Sequence, residues 1–441
     1  MTYKWLFIVQ NFEIKGYQDS AARAEVVAPI TKSSFVNSYS VLCFDRTYDN
    51  FYKEIISENI VNLNIRLKGK PVVIYGAGIH TQQHLAQFKQ FNIKAIADRD
   101  SSLWGGELEG VLIISPDDIL QYSEHVVISS KAYEQAIYEE LSERLPALSL
   151  HRLYYLNDNN AEFNQQMQAR ILKEVECFEP DIIFYCPTHP SDCLPVEHWL
   201  EIKKKAKGTK FITVWWDYDE ESENSPYLAF ERDCLQWNDL CIENSNITRI
   251  ENMKKGLPPY QFHHNTEKVV FHPTIFDPDL FYFDSSIKKK YDIALFGSAA
   301  GHRKKWIDFL QRTYKERFHH IGGVMHGEKT LNISDYAKAL QATKVCINTQ
   351  TYPFREQCKG KVREALACGV ALLEEDNAQT RKLLDSGNGI LYFYNQESLL
   401  QQIERLLDDD DMLNELVNQG QAQWQLIGRP DSWVQRLLDY L

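Results

Sequence analysis

The sequence lacks any apolar run long enough to cross a membrane. No stretch of about 18 residues is both predominantly apolar and free of charge, which is the length that a transmembrane helix needs. We therefore expect no transmembrane segment. The 44% of hydrophobic and 25% of charged residues are typical of an ordinary globular protein. At roughly 150 residues per domain, a chain of 441 residues predicts about three domains.

Paired cysteines are also missing. The nine cysteines are scattered and include no Cys-x-x-Cys pair, and Cys186 and Cys193 do not have the spacing of a zinc site. Scattered cysteines in odd number are typical of a protein kept in a reducing compartment. We therefore expect reduced cysteines, no bound metal and a cytoplasmic location.

An excess of basic charge is the third absence. The chain has 48 basic and 61 acidic residues, which gives a net charge of −13. Proteins that bind nucleic acids present a basic surface, so we expect no nucleic-acid partner. A local basic pocket for phosphate groups remains compatible with this overall balance.

Residues 67–150 show the clearest alternation of strands and helices, which predicts a parallel sheet. A buried strand leads into Gly76 and Gly78, and the next strand ends at Asp98. This turn and acid match the dinucleotide-binding fingerprint, except that Thr81 stands where the third glycine belongs. The unit resembles the small Rossmann-like domains attached to some bacterial sugar-modifying and sugar-transferring enzymes. Two interpretations stay open, a ligand site and a structural module.

Two further strand–helix series follow, divided by a linker at residues 273–290 that is rich in proline, aromatic residues and lysine. We therefore predict an α/β fold built from Rossmann-like domains. The predicted boundaries are an N-terminal segment of uncertain role at residues 1–66, a Rossmann-like accessory domain at 67–150, an acceptor-side domain at 151–275 and a donor-side domain with C-terminal helices at 276–441.

The donor-side domain has the features of a phosphate site. Its first strand ends at Gly297 and Ser298, and such a turn offers backbone N–H groups and a helix N-terminus to a phosphate. Nearby basic residues would supply the positive charge that a diphosphate requires. These basic candidates are Arg303, Lys304, Lys359 and Lys361.

Glu364 is the candidate for binding a ribose. It lies near the start of a short helix predicted at residues 362–368, where its carboxylate could accept both hydroxyls of a diol. A carboxylate between Lys361 and Arg363 would stay ionised, as an acceptor must. The alternative is that Glu364 only caps and charges the helix N-terminus.

The spacing of two glutamates points to a known family. Glu356 and Glu364 are separated by seven residues, and the sequence Ala-Leu-Ala-Cys-Gly-Val follows directly. With the Gly297 turn and the strand ending at Asn348 before it, this segment resembles the donor-binding domain of GT-B glycosyltransferases, of the retaining family-4 and spore-maturation-protein-like types. The resemblance covers about residues 151–441. It implies two Rossmann-like domains in the GT-B arrangement, with the accessory domain added at the N-terminal side.

The resemblance also implies roles for single residues. Glu364 would hold the ribose, and Arg303 or Lys304, together with Lys361, would hold the diphosphate. Three residues are implied as catalytic. His189 follows a strand of the acceptor-side domain, Asp217 stands after a tryptophan where a His-Asp pair is common in the family, and Glu356 would lie near the donor sugar.

The implied activity is transfer of a hexosyl group from a nucleotide-diphosphate sugar, without cofactor or metal and with retention of anomeric configuration. The sequence Asp217-Tyr-Asp219 leaves metal-dependent transfer open. An NAD(P)-dependent sugar-nucleotide oxidoreductase or epimerase centred on Gly76 also stays open, as does a non-catalytic nucleotide-sugar-binding protein. The sequence does not identify the donor base or the acceptor, which could be a glycan, a protein or a lipid-linked sugar.

Overall fold

The computed structural model describes residues 1–10, 17–44, 50–130, 133–153, 159–187, 193–216, 226–299, 301–322, 331–351 and 356–441. The chain divides into two compact units. The larger unit combines Met1–Phe44 with Ile171–Leu441, and the smaller unit is Asp45–Arg170. The larger unit is therefore built from two stretches that are far apart in sequence.

The strands of the described residues alternate with helices through most of the chain. The strands are β1 Tyr3–Gln10, β2 Val36–Phe44, β3 Pro71–Tyr75, β4 Asn92–Ala97, β5 Glu107–Leu108, β6 Val111–Ile114, β7 His125–Ile128, β8 Ser149–Arg152, β9 Ile182–Cys186, β10 Lys210–Trp215, β11 Leu240–Glu243, β12 Val269–Phe271, β13 Tyr291–Phe296, β14 Phe318–Ile321, β15 Thr343–Asn348, β16 Ala371–Glu375 and β17 Ile390–Phe393. The α-helices are α1 Ala28–Thr31, α2 Asn50–Leu67, α3 Ile79–Phe88, α4 Ile119–Tyr122, α5 Glu134–Arg144, α6 Asn159–Phe178, α7 Val196–Lys205, α8 Pro226–Trp237, α9 Ile247–Lys254, α10 Gly301–Tyr314, α11 Ile333–Gln341, α12 Gly360–Cys368, α13 Ala378–Leu383, α14 Gln396–Asp408, α15 Asp410–Ile427 and α16 Pro430–Leu438. A π-helix, Arg23–Val27, precedes α1.

The acceptor-side sheet has the strand order β12-β11-β10-β9-β1-β2, and its strands are parallel. Trp5 of β1 pairs with Ile182 of β9, so the start of the chain forms part of this sheet. The predicted boundaries had left residues 1–66 outside the acceptor-side domain. The structure corrects that division, because β1 and β2 belong to the sheet and to its parallel pairing.

The donor-side sheet has the order β14-β13-β15-β16-β17 and is parallel throughout. Its strands lie where the alternation of the sequence predicted them. Strand β14 lies on one side of β13, whereas β15 and the later strands lie on its other side. The strand order therefore reverses between β13 and β15. Ligands of open α/β sheets bind at such a point, beyond the carboxyl ends of the strands.

Side chains of the donor-side strands alternate between two buried layers. Ile293 and Leu295 of β13 pack in one hydrophobic cluster, and Ala294 and Phe296 pack in another. Successive side chains of a strand point to opposite faces, and a parallel sheet is covered by helices on both. The apolar run of β13 is therefore continuous because both of its faces are buried.

The smaller unit has a third sheet, with the order β5-β6-β4-β3-β7-β8. Its strands pair in parallel except β5 and β6, which are antiparallel. The predicted additional Rossmann-like domain is therefore present. It is inserted between β2 and β9 of the acceptor-side sheet, whereas the sequence had suggested an addition at the N-terminal side.

Capping residues define two helix ends of the donor-side domain. The N-cap of α11 is Asn332, whose side chain accepts from the backbone N–H of Asp335. Helix α12 begins at Gly360, two residues before the predicted start, and ends at Cys368 as predicted, with Gly369 as its C-cap. Gly369 has φ +64°, and a Cβ there would lie 2.2 Å from a ring carbon of Phe283, so this position requires glycine. None of the helices in the described ranges is long and apolar enough to cross a membrane.

Candidate active site

The turn after β13 forms the floor of the candidate site. Gly297 has φ +115°, its N–H donates to Ile321 O at 2.9 Å, and its carbonyl accepts from His320 Nε2 at 2.7 Å. A Cβ at this position would lie 2.9 Å from Arg303 Nη1. Strand β14 thus binds both the N–H and the carbonyl of Gly297. Only glycine leaves room at this position for the Arg303 guanidinium.

Two cations from different elements meet at Gly297. Arg303 of α10 is only 6% exposed, and it donates to Thr349 O at 3.0 Å and to Ser298 O at 3.4 Å. Lys361 of α12 places its Cε 3.5 Å from the Cβ position of Gly297. Predicted residues that lie far apart in sequence therefore converge on one turn at the switch point of the sheet.

Glu364 lies three residues after Lys361 in α12 and is 8% exposed. Its Oε2 accepts a hydrogen bond from the hydroxyl of Tyr336 in α11. Burial, together with the adjacent Glu364 carboxylate, raises the pKa of Tyr336 well above its ordinary range, so the phenol stays a donor. The ammonium of Lys361 lies 5.5 Å from the centroid of the same ring. The sequence analysis did not identify Tyr336 as a site residue.

The second oxygen of Glu364 lies beside the start of α12. Oε1 lies 3.6 Å from the Cβ position of Gly360, the first residue of α12, and a ring carbon of Phe276 lies 3.5 Å from the same position. Among the described residues, only Oε2 of this carboxylate accepts a hydrogen bond. The carboxylate can therefore accept from a further donor there while Tyr336 holds its other oxygen.

The other predicted donor-side residues are placed differently. Lys304 is 59% exposed in its side chain and forms an i,i+4 ion pair with Asp308, at 2.8 Å and 2.9 Å to the two carboxylate oxygens. Lys359 is the N-cap residue of α12, and its ammonium donates to the Gln357 side chain. Ser298 contributes its carbonyl to Arg303. Of the predicted basic residues, Arg303 and Lys361 are the two whose contacts meet at Gly297.

Glu356 and Glu364 face different neighbours. The Glu356 side chain is exposed and accepts from the N–H of Ala378 at 3.3 Å, at the start of α13. Its carbonyl accepts from Asn246 Nδ2 at 3.1 Å. Glu364 instead faces α11 through Tyr336. The two glutamates therefore contact different elements, α13 and α11.

The remaining predicted residues of the acceptor side lie outside the described residues. His189 falls in 188–192, and Asp217 and Asp219 fall in 217–225. Their catalytic or metal-binding roles stay predictions. Within the described ranges, no three His, Cys, Asp or Glu side chains come together in a group that could hold a metal ion.

A buried polar cluster at the ends of β15 and β16 was not predicted. The Glu374 carboxyl group accepts from Asn348 Nδ2 at 2.7 Å, Asn377 Nδ2 at 2.8 Å and Thr380 Oγ1 at 3.2 Å. Burial raises the pKa of Glu374 to about 8. Nothing in the sequence of β16 distinguishes Glu374 from the next residue, Glu375, so burial of one of them could not be read from it.

The glycine turn of the smaller unit has its own set of contacts. The Asp98 carboxylate accepts from the N–H of Ala77 at 2.6 Å and from that of Asp100 at 2.9 Å. Thr81 is buried and donates to Gly76 O. The acid thus lies beside the turn as the fingerprint requires, but both of its oxygens bind backbone groups of this chain. Whether the turn holds a ligand stays a prediction.

Comparisons with known proteins fit this geometry. Residues 287–439 match a family model described as glycosyl transferase-like, and residues 68–146 match one described as C2185-like, N-terminal. No curated protein matches the chain.

Several solved structures are similar to the chain. HepE from Anabaena in complex with UDP is 12% identical, with 84% of this chain and 100% of that chain covered and a TM-score of 0.45. Sucrose-phosphate synthase from Thermosynechococcus elongatus is 11% identical, with 84% and 98% covered and a TM-score of 0.45. A glycosyltransferase from Rickettsia africae is 9% identical, with 100% and 98% covered and a TM-score of 0.43.

The family match lies on the donor-side sheet, and it includes the turn, both cations and the buried glutamate. The loops at the carboxyl ends of the two sheets of the larger unit contact each other, since the Cys358 N–H donates to Ser245 O at 2.8 Å. Residues 287–439 thus match the glycosyl transferase-like family model, and the match lies on the parallel donor-side sheet.

Proposed function

We propose that the chain transfers a hexosyl group from a nucleotide-diphosphate sugar to an acceptor, without a metal ion and with retention of anomeric configuration. The observation that carries this proposal is the convergence of Arg303 and Lys361 on the Gly297 turn, with Glu364 on the same helix as Lys361. The three parts suit the diphosphate and the ribose of one nucleotide.

The diphosphate would lie over Gly297. A phosphate at this turn would meet backbone N–H groups and the N-terminus of α10, which favours negative charge. Arg303 and Lys361 supply two cations, and guanidinium groups in particular bind phosphate oxygens through paired N–H donors. Because Arg303 is already held by Thr349 O and Ser298 O, little orientation would be lost on binding.

The ribose would bind Glu364. Among the described residues its Oε1 accepts no hydrogen bond, whereas Oε2 is held by Tyr336. A carboxylate accepts hydrogen bonds from vicinal hydroxyls, and the Tyr336 hydroxyl fixes the plane in which it does so. This contact would place the diphosphate toward Lys361, which is three residues earlier on the same helix.

Transfer would break the bond between the anomeric carbon and the diphosphate oxygen, which leaves with the electron pair. The new bond forms between that carbon and an acceptor oxygen, whose proton passes to a base. Arg303 and Lys361 would stabilise the charge that develops on the leaving diphosphate, which is the part a divalent ion has in other transferases. Glu356, His189 and Asp217 are the proposed residues around the sugar and the acceptor.

The proposal is tested by assaying a panel of nucleotide-diphosphate sugars for release of nucleoside diphosphate, in the presence of EDTA. We expect release from at least one donor, at a rate that EDTA does not change. Release only after a divalent ion is added would contradict metal independence and favour a metal site at Asp217 and Asp219. No release from any donor, with any acceptor class, would favour a non-catalytic protein.

A further inference from the structure

A buried ionic cluster holds the loop at the carboxyl end of β11. Arg249 of α9 donates to the carboxylates of both Glu243 and Glu231, and all three side chains are buried. The other oxygen of Glu243 accepts from the N–H groups of Ser245 at 2.8 Å and Asn246 at 3.1 Å. Residues 244–246 are therefore fixed by an ion cluster beneath them, since each charge is paired.

This loop contacts the donor-side domain through backbone groups. Ser245 O accepts from the N–H of Cys358 at 2.8 Å, and Asn246 Nδ2 donates to Glu356 O at 3.1 Å. Both partners lie in the segment that leads into α12. The acceptor-side loop thus holds the segment between the two glutamates of the donor site.

A second contact joins α9 to α13. Gln379 Oε1 accepts from the N–H groups of Ile247 at 2.9 Å and Thr248 at 3.2 Å, at the start of α9. Gln379 Nε2 donates to Thr248 Oγ1 at 2.8 Å. A donor-side amide therefore satisfies N–H groups that a helix N-terminus leaves without partners inside the helix.

Arg363 extends from the donor helix to the acceptor-side loop. It precedes Glu364 in α12 and is 2% exposed. Its Nη1 donates to Thr274 O and lies 3.3 Å from Asn244 Oδ1, and the guanidinium lies 5.6 Å from the Phe276 ring centroid. Asn244 Oδ1 also accepts from the N–H of Thr274 at 2.8 Å, so loop and linker are held together.

The acceptors around Arg363 are neutral within the described part of the chain. Burying a guanidinium without a carboxylate partner is costly, and folding of the donor-side domain has no need of it. Val362, Ala365 and Leu366 of the same helix already pack in the hydrophobic core. The Arg363 guanidinium therefore lies on the face of α12 that meets the acceptor-side domain. Its several N–H groups can donate there to acceptors on both the loop and the linker.

We propose that Arg363 and Asn244 are positioning residues, which set the donor helix α12 against the acceptor-side domain so that the bound sugar faces the acceptor at a fixed distance. This inference rests on the proposed function. Neither side chain needs to touch the nucleotide. Their substitution should therefore impair the transfer step and leave nucleotide binding in place, because only transfer requires both domains in register.

The test compares Arg363→Met, Arg363→Lys and Asn244→Ala with the unaltered full-length chain. Nucleoside-diphosphate affinity is measured by calorimetry and transfer by steady-state kinetics. We expect affinity within threefold of the unaltered chain, kcat lowered tenfold or more by Arg363→Met and Asn244→Ala, and partial recovery in Arg363→Lys. Unchanged kcat, or a loss of nucleotide affinity as large as the loss of kcat, would overturn the proposal.

Arg436→Met is the matched control. Arg436 of α16 also donates to neutral acceptors, the carbonyls of Leu426 at 3.3 Å and Ile427 at 3.0 Å, but these lie within the C-terminal helices. It should lower the midpoint of thermal unfolding without lowering kcat. If Arg363→Met does not fold, Asn244→Ala decides the question, because it removes one acceptor and keeps the charge.

Hydrogen exchange gives a second result that does not depend on activity. The Cys358 amide donates across the two domains to Ser245 O, so its protection reports their contact. We expect Arg363→Met and Asn244→Ala to increase its exchange at least tenfold, and Arg436→Met to leave it unchanged. Equal protection of the Cys358 amide in all variants would overturn the positioning role, even if no transfer is found. If the unaltered chain is inactive but exchange of this amide increases in the variants, the result would count against the proposed function alone.

Discussion

Glu364 has one oxygen held by a phenol. Tyr336 donates to Oε2, and among the described residues Oε1 accepts no hydrogen bond. A carboxylate oriented in this way loses little freedom when a ribose hydroxyl binds. At the scale of single residues, the proposed ribose contact therefore depends on Tyr336 as well as on the glutamate.

Tyr336→Phe should weaken nucleoside-diphosphate binding about tenfold, which is about 1.4 kcal/mol. We expect this loss of affinity because the variant lacks the hydrogen bond from Tyr336 that orients the Glu364 carboxylate. Calorimetry measures the change. Tyr314→Phe is the matched control, because among the described residues the buried Tyr314 hydroxyl has no hydrogen-bond partner. Equal affinity in both variants would show that Tyr336 does not orient the carboxylate.

Neighbouring basic residues could not be separated from the sequence. Arg303 and Lys304 both follow the Gly297 turn, and both were predicted to hold the diphosphate. One residue of an α-helix turns the side chain by about 100°. Arg303 consequently lies buried against Thr349 O, whereas Lys304 pairs with Asp308 one turn further along α10. The start of α10 at Gly301 decides which of the two side chains faces Gly297.

At the scale of elements, the junction of β15, β16 and α13 is held by one carboxyl group. Glu374 of β16 accepts from Asn348 at the end of β15 and from Asn377 and Thr380 at the start of α13. Its pKa is raised to about 8 by burial, from an ordinary value of 4.5. The folded state therefore holds this proton more tightly than the unfolded state does.

The sign of the pH dependence follows from that difference. Between pH 4.5 and 8 the unfolded chain loses the proton and the folded chain keeps it, so the contribution of Glu374 to stability is lost as pH rises through this window. Glu374→Gln, which cannot ionise, should flatten the decline. Urea unfolding at a series of pH values measures the free energy of unfolding for both proteins. A decline of equal slope in the variant would contradict the assignment to Glu374.

The helix ends show where element-level prediction stops. Ser334 is a good N-cap by residue type, but Asn332 caps α11 because its side chain reaches the N–H of Asp335. The end of α12 at Gly369 was predictable, since a left-handed residue that also packs against Phe283 requires glycine. Residue type alone identifies a capping residue when the segment contains one suitable residue. It does not identify the cap when two suitable residues, such as Asn332 and Ser334, lie within one turn.

At the scale of the whole molecule, the local alternation of strands and helices predicted three sheets. Which segments belong to which domain depends on how the strands pair, and this pairing is visible only in the structure. Trp5 pairs with Ile182 across the whole inserted unit. Such a pairing leaves no mark in either segment, because both are continuous apolar runs that any parallel sheet would accept. The insertion therefore became visible only in the structure, although most of its strands were predicted.

The smaller unit and the donor-side domain each have a glycine turn where a nucleotide could bind. In the smaller unit, both oxygens of Asp98 accept backbone N–H groups of the chain itself. In the larger unit, two cations meet at Gly297, and among the described residues Oε1 of Glu364 accepts no hydrogen bond. The larger unit is therefore the one expected to bind the nucleotide of the donor.

Calorimetry with a panel of nucleoside diphosphates in the presence of EDTA tests this claim most directly. We predict that at least one binds the unaltered chain with one site per chain, that Glu364→Ala abolishes the binding, and that Asp98→Ala leaves it unchanged. Undiminished affinity in Glu364→Ala, or loss of binding in Asp98→Ala alone, would contradict the account.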